Sequence, residues 1–162
     1  MLDHKSHPIS VNVWACFSGR GLGYIYIFNE TLDAQLLKRI LDENLLPSAA
    51  ALYQQHPPEL WWFLHDNDKK FTGGVVSKWI HNHGIHVLSF PPYSPDLNPC
   101  ENLWIELEKR VERHNATTMS ELQDAIAHEW SQTSVNFLQT LSHSMPARCQ
   151  AVLANQGHKT AY

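Results

Sequence analysis

A chain of 162 residues with 43% hydrophobic and 17% charged residues has enough apolar material for a folded core. It carries too little charge for a solvated disordered chain or a coiled coil built from Glu and Lys. Twelve Lys and Arg against sixteen Asp and Glu leave a net charge of −4, so any contact with nucleic acid must come from local basic patches and not from the overall field. Cys16, Cys100 and Cys149 form no C-x-x-C pair and are odd in number, which argues against a disulfide framework and a cysteine zinc site and for a reducing compartment. The amino-terminal residues lack a signal peptide's apolar core, and no run approaches the roughly 18 apolar residues of a membrane span, so no membrane partner is expected.

The first predicted element is a hairpin. Val11 to Phe17 alternates in the period of a strand, Ser18-Gly19-Arg20-Gly21 supplies turn residues, and Leu22 to Phe28 is β-rich. From Thr31 the period lengthens: Leu32, Leu36, Leu37, Ile40 and Leu41 recur every three to four residues, which predicts an amphipathic helix interrupted at Pro47, with a further turn through Ala49 to Tyr53. Leu60 to Leu64 is a continuous apolar run, as expected of a strand buried on both faces. A helix over Gly74 to Asn82 and a second short strand over Ile85 to Phe90 complete a βαβ pattern.

Four prolines in Pro91 to Pro99 predict a rigid loop leading to a helix from about Cys100, with Leu103, Trp104, Leu107 and Val111 as its apolar stripe. Thr118-Met119-Ser120-Glu121 has the spacing of a capping box, ahead of a helix containing Leu122, Ala125, Ile126 and Trp130. Val135 to about Leu153 reads as one or two helices broken near Pro146. The fold class is therefore α/β with a helical carboxyl-terminal part. Trp61, Trp62, Trp79, Trp104 and Trp130 are expected in the core.

Asp66 follows the apolar strand, and ligands of α/β sheets gather at the carboxyl ends of strands. An Asx turn or a helix cap would explain the same residue. Glu101 falls in the first turn of the helix after the proline loop, where an acid also favours the macrodipole. As a pair, separated by 34 residues, they could hold a divalent ion such as Mg²⁺ for phosphoryl transfer. Lys69, Lys70 and Lys78 follow the first acid, and Lys109, Arg110 and Arg113 follow the second; they could hold a phosphate backbone or form a solvated face with helix salt bridges such as Glu106 to Arg110. His65 could reach a phosphate or fill the strand face.

Four blocks, in order, resemble the Tc/mariner superfamily of cut-and-paste DNA transposases in their DDE catalytic domain. They are Val13-Trp14-Ala15-Cys16-Phe17-Ser18, Leu41-Asp42-Glu43-Asn44-Leu45-Leu46, His65-Asp66-Asn67-Asp68, and Pro92-Tyr93-Ser94-Pro95-Asp96-Leu97-Asn98-Pro99 with Glu101-Asn102-Leu103-Trp104. The last block is the specific one, and the match covers nearly the whole chain. The resemblance implies a ribonuclease H-like mixed sheet flanked by helices, and a triad of two aspartates and a final acid. Asp66 matches the second aspartate and Glu101 the third acid; both would be catalytic metal ligands for Mg²⁺ or Mn²⁺. It further implies transposon-end and target DNA as partners, bound by Lys69, Lys70, Lys109, Arg110 and Arg113, a possible homodimer, and a place in the nucleus.

The family's first aspartate lies on a strand preceding the hairpin, and only ten residues precede Val11 here. The expectation is one DDE-type domain over residues 1–162, incomplete at its amino terminus, with the first strand and first carboxylate missing and strand cleavage impaired. Asp3 is too close to the hairpin to take that role. The family's amino-terminal helix-turn-helix region is likewise expected to be missing. Lys69 and Phe71 stand where the family has proline and histidine. The alternative expectation is a catalytically dead remnant that acts at most as a DNA-binding or self-association module.

Overall fold

The structure, a computed structural model, describes residues 9–54, 61–65, 69–88, 91, 94–158 and 160–162. The amino-terminal hairpin pairs β1 (Asn12–Ser18) with β2 (Gly21–Phe28) antiparallel, from Asn12 opposite Phe28 to Ser18 opposite Gly21, with a register shift between Ala15 and Phe17. Both faces of β1 are used. Trp14 and Cys16 pack against one core and Ala15 and Phe17 against a second, as the period of two requires of a strand covered on both sides. The hairpin is thus a middle layer between two sets of helices.

The first helical layer runs almost without interruption through α1 (Ala34–Ile40), a π-helical turn (Leu41–Leu45) and α2 (Leu46–Tyr53). Its start is at Ala34 and not Thr31, because Asp33 accepts hydrogen bonds from the Gln35 and Leu36 amides at 2.9 and 2.7 Å and so fixes the cap. Nor does Pro47 interrupt it. Pro47 lies in the first turn of α2, and the wide π turn immediately before it accommodates the altered bonding. Leu37, Leu41 and Leu45, four apart, stay buried through the turn; burying a leucine contributes about 2 kcal/mol.

β3 (Trp62–Leu64) and β4 (His86–Leu88) pair in parallel, Trp62 with His86 through Leu64 with Leu88. Between them lie α3 (Lys69–Thr72), which the sequence reading did not anticipate, and α4 (Gly74–Asn82). Gly84, at φ 62°, reverses the chain after α4, and the Ile85 amide returns to the Ile80 carbonyl at 3.2 Å, a helix stop that favours glycine. The expectation that this strand is buried on both faces fails at Trp62, which is 60% exposed. Trp61 and Phe63 face the helices, and Trp62 lies on the opposite face against the His86 ring at 5.2 Å. Residues 89 and 90, the end of the second expected strand, and Leu60 lie outside the described residues.

The second helical layer comprises α5 (Pro99–Glu112), α6 (Met119–Ser131), α7 (Val135–His143) and α8 (Met145–Ala154). The capping box at Thr118 and Glu121 forms in both directions. The carboxyl-terminal segment is two helices meeting at Ser144, two residues before the expected break, with Pro146 in the first turn of α8. Leu103, Leu107, Trp130, Leu138 and Leu141 make the second core. Trp130 ties it to the sheet through a 3.1 Å hydrogen bond from its indole N–H to the Gly23 carbonyl. Among the described residues the sheet is therefore two pairs, one antiparallel and one parallel, and no helix is long and apolar enough to cross a membrane.

Gly23 is where the layers approach most closely. A Cβ there would strike the Cys16 sulfur and stand 2.8 Å from Ser48 Oγ and 2.9 Å from the Cys16 carbonyl. Ser48 cannot retreat, since its hydroxyl donates to the Asn44 carbonyl and accepts from the Tyr24 amide at 2.7 Å. Gly23→Ala is expected to lower stability by about 1–3 kcal/mol, read as a reduced urea midpoint with an unchanged slope. Burial pushes the Cys16 thiol up to about 11, against the opposing effect of the Ser48 hydrogen bond. At pH 8 Cys16 should therefore be alkylated at least about tenfold more slowly than the exposed Cys149. Its rate should go on rising to about pH 11; equal rates for both thiols at pH 8 would contradict the enclosure described.

Candidate metal and nucleic-acid site

The two strand pairs flank a cleft of about 530 Å³. Residues of β1 and of Trp61 to His65 form its sides, α2 closes it on one face with Ala49 and Tyr53, and α5 and α7 close it on the other with Trp104 and Ser142. Glu101 stands on its lining, as do His65 and Lys70. The lining is mostly apolar, from Val13 to Phe17 and from Trp61 to Leu64, and Glu101, His65 and Lys70 are among its polar side chains.

Glu101 is held there by the way α5 begins. Asn98 adopts extended backbone, its side chain accepts from the Cys100 amide at 3.1 Å, and Pro99 occupies the first helical position. Pro at that position and Asn before it are strong starting signals. The helix therefore starts at Pro99, one residue before the sequence estimate, and its first turn points Glu101 outward. The Glu101 carboxylate is exposed and, among the described residues, receives a long 3.5 Å contact from the Asn98 side-chain amide. Carboxylate oxygens are the donors that hard cations such as Mg²⁺ and Mn²⁺ take. Glu101 fits that requirement. Asp66 lies outside the described residues, and among those described no group of three His, Cys, Asp or Glu gathers into a metal centre.

His65 packs on the strand face, as one of its two expected roles requires. Its ring stacks on Phe71 at 4.3 Å and lies 5.3 Å from Phe63. Lys69 opens α3 and is exposed, while Lys70 reaches the cleft. On α5, Glu101, Ile105, Lys109 and Arg113 are all exposed at four-residue spacing, a slowly turning stripe along one side of the helix. Lys109 stands about 12 Å along the axis from Glu101. Arg110 points elsewhere. It is partly buried, donates to Thr133 Oγ1 at 2.7 Å, and lies 3.7 and 3.8 Å from the Glu129 and Glu106 carboxylates. Glu129 also bonds the His114 ring at 2.7 Å, and that bond, with Arg110 beyond it, holds its carboxyl below the usual range. The Glu106 to Arg110 bridge considered from the sequence is present; Arg110 serves α5 and α6 first.

Sequence reasoning missed two residues that shape the site. Asn98 could have been found, because Asn-Pro three residues before an acid is a cap signal. Arg148 could not: it sits on the last helix among small residues, and nothing in one sequence tells that it is 2% exposed beneath the loop that enters α5.

The DDE superfamily endonuclease model matches residues 2–123, and the chain belongs to that family as a Tc/mariner transposase DDE domain of the ribonuclease H-like fold. It is 35% identical over 153 residues to the transposable element Tcb1 transposase of Caenorhabditis briggsae, covering 94% of this chain and 55% of that protein. It is similar in fold to the catalytic domain of Mos1 mariner transposase, with a TM-score of 0.82 and 20% identity over 93% of this chain and 76% of the other. The Mos1 mariner paired end complex with Mn matches at a TM-score of 0.82 and 19% identity over 99% of this chain and 51% of the other. The chain spans about half the length of the curated relatives it matches.

Removing the cap tests the construction of the site. Asn98→Ala should cost about 1 kcal/mol of stability, measured by urea unfolding. It should also speed hydrogen exchange at the Cys100 amide while leaving α6 unchanged; undiminished protection at Cys100 would show that Asn98 does not hold the turn.

Proposed function

We propose that this domain binds DNA and a divalent cation, Mg²⁺ or Mn²⁺, and that Asp66 and Glu101 are the metal ligands and catalytic carboxylates of a strand-cleaving and strand-transferring site. The observation that carries the reading is Glu101: an exposed carboxylate fixed on the first turn of α5, at the mouth of a cleft lined by strands. When bound, such an ion neutralises charge at a phosphodiester and lowers the pKa of water. Lys69 and Lys70 flank one side of the mouth, and Lys109 and Arg113 extend along α5 from the other; these, with Arg110 steadying the helix, would hold the phosphate backbone. A phosphate track on a chain of net charge −4 makes retention on DNA strongly dependent on salt.

Pairing of two copies on DNA belongs to the same proposal and is supported by the likeness to the Mos1 mariner paired end complex; a place in the nucleus is proposed with it, from the DNA substrate alone.

Calorimetric titration with Mn²⁺ of the full chain, Asp66→Asn and Glu101→Gln tests the reading. Saturable binding lost in both variants is the expected result. Absence of binding in the parent, or binding indifferent to both substitutions, would remove the metal site and leave the alternative of a DNA-binding or self-association module.

A further inference from the structure

The loop entering α5 is gripped from the far end of the chain. The Arg148 guanidinium, on α8, donates to the Asp96 carbonyl at 2.8 Å, to Asn102 Oδ1 at 2.7 Å and to Ser144 Oγ at 2.7 Å through three different nitrogens. The Tyr162 ring covers it at 4.8 Å. The Asp96 carboxylate, 5% exposed as a residue, accepts from both the amide and the hydroxyl of Thr160 at 3.1 and 3.0 Å.

We propose that Arg148 and the Thr160–Tyr162 segment form a latch that sets the position of Glu101 through Asp96 and Asn102. Arg148 is a positioning residue in this account. Successive residues on a helix point about 100° apart. Tying Asn102 inward to a buried guanidinium therefore fixes the rotation of the first turn and turns Glu101 toward the cleft. Asp96 ends the other side of the same loop: its carbonyl is held by Arg148 and its carboxylate by the tail, so Asn98, two residues on, is presented to cap α5. Only a planar fork of donors reaches three acceptors in different directions at once; lysine is a single point charge and does not replace it. Burial works against the Asp96 anion, and the Thr160 hydrogen bonds outweigh it, holding that carboxyl below the usual range. Tyr162, which covers the guanidinium, is itself 45% exposed, so this half of the grip lies at the surface and not in a core.

The functional weight of the latch rests on the metal reading of Glu101, whereas its geometry does not, and the test separates the two. Hydrogen exchange is measured without metal on the full chain, on Arg148→Lys, on Thr160→Ala and on a chain ending at residue 159; Mn²⁺ titration follows on each. The expected result is exchange faster by about tenfold at the amides of Cys100 to Leu103 in all three variants, with protection in α6 at Leu122 to Ile126 unchanged. Where the parent binds Mn²⁺, affinity should fall by a similar factor. Should Arg148→Lys fail to fold, Thr160→Ala and the shortened chain decide. Unchanged exchange at Cys100 to Leu103, or loss of protection equal in α5 and α6, overturns the latch. If the parent binds no Mn²⁺ but exchange responds as expected, the metal reading fails and the latch stands as a device that orders the loop.

Discussion

Burial of one hairpin on both its faces is the constraint on which the other elements depend. Because Trp14 and Cys16 point one way and Ala15 and Phe17 the other, neither helical layer can be built without the strand that separates them. The close approach at Gly23 follows from the same demand. Ser48 of α2 reaches the backbone of β2 from one side and Trp130 of α6 reaches it from the other, so the backbone between them has no room for a side chain. The two layers meet at a point two residues into β2, and everything that frames the cleft is referred to it.

The specific Ser94-to-Trp104 block takes on a different meaning in three dimensions from the one its resemblance suggests. One residue in it, Glu101, faces the cleft with little internal commitment, while its neighbours have structural tasks. Asp96 anchors the loop, Asn98 caps the helix, Pro99 starts it, and Asn102 and Leu103 turn inward to Arg148 and the second core. A run of residues of this kind is specific because several exacting local requirements fall within one turn of helix.

Elements whose stability is local were legible in the sequence. The Thr118 capping box, the hairpin and the apolar stripe of α5 are each decided by residues within a few positions of one another, and they form as read. Readings that depended on what lies across the fold went astray. Trp62 has the composition of a core residue, but whether that face of the β3–β4 pair is covered is decided by helices remote in sequence. Pro47 is a helix breaker in isolation, and the π turn at Leu41–Leu45 absorbs it only because the buried leucines on either side must stay aligned. Near the candidate site, the start of α5 that carries Glu101 was visible to within one residue. Arg148 and Thr160 were not, since their partner Asp96 lies 52 and 64 residues away, and no periodicity records such a contact.

Several other carboxylates are committed to bonds within the fold. Asp33 caps α1, Asp42 accepts the Trp79 indole N–H at 2.6 Å, Asp96 holds the carboxyl-terminal residues, Glu121 closes a capping box and Glu129 joins His114 to Arg110. Each of these bonds would have to be broken before a cation or phosphate could use the group, at a cost comparable to the stability a charge-assisted hydrogen bond contributes. Among the described residues that line the cleft, Glu101 is the acid present, and its one internal contact, at 3.5 Å, is at the outer limit of a hydrogen bond. A ligand recruited there displaces water and almost nothing else. Among the described residues, exposed acids away from the cleft, such as Glu43, Glu108 and Asp124, are no more committed than Glu101, and what sets Glu101 apart is its place on the cleft lining.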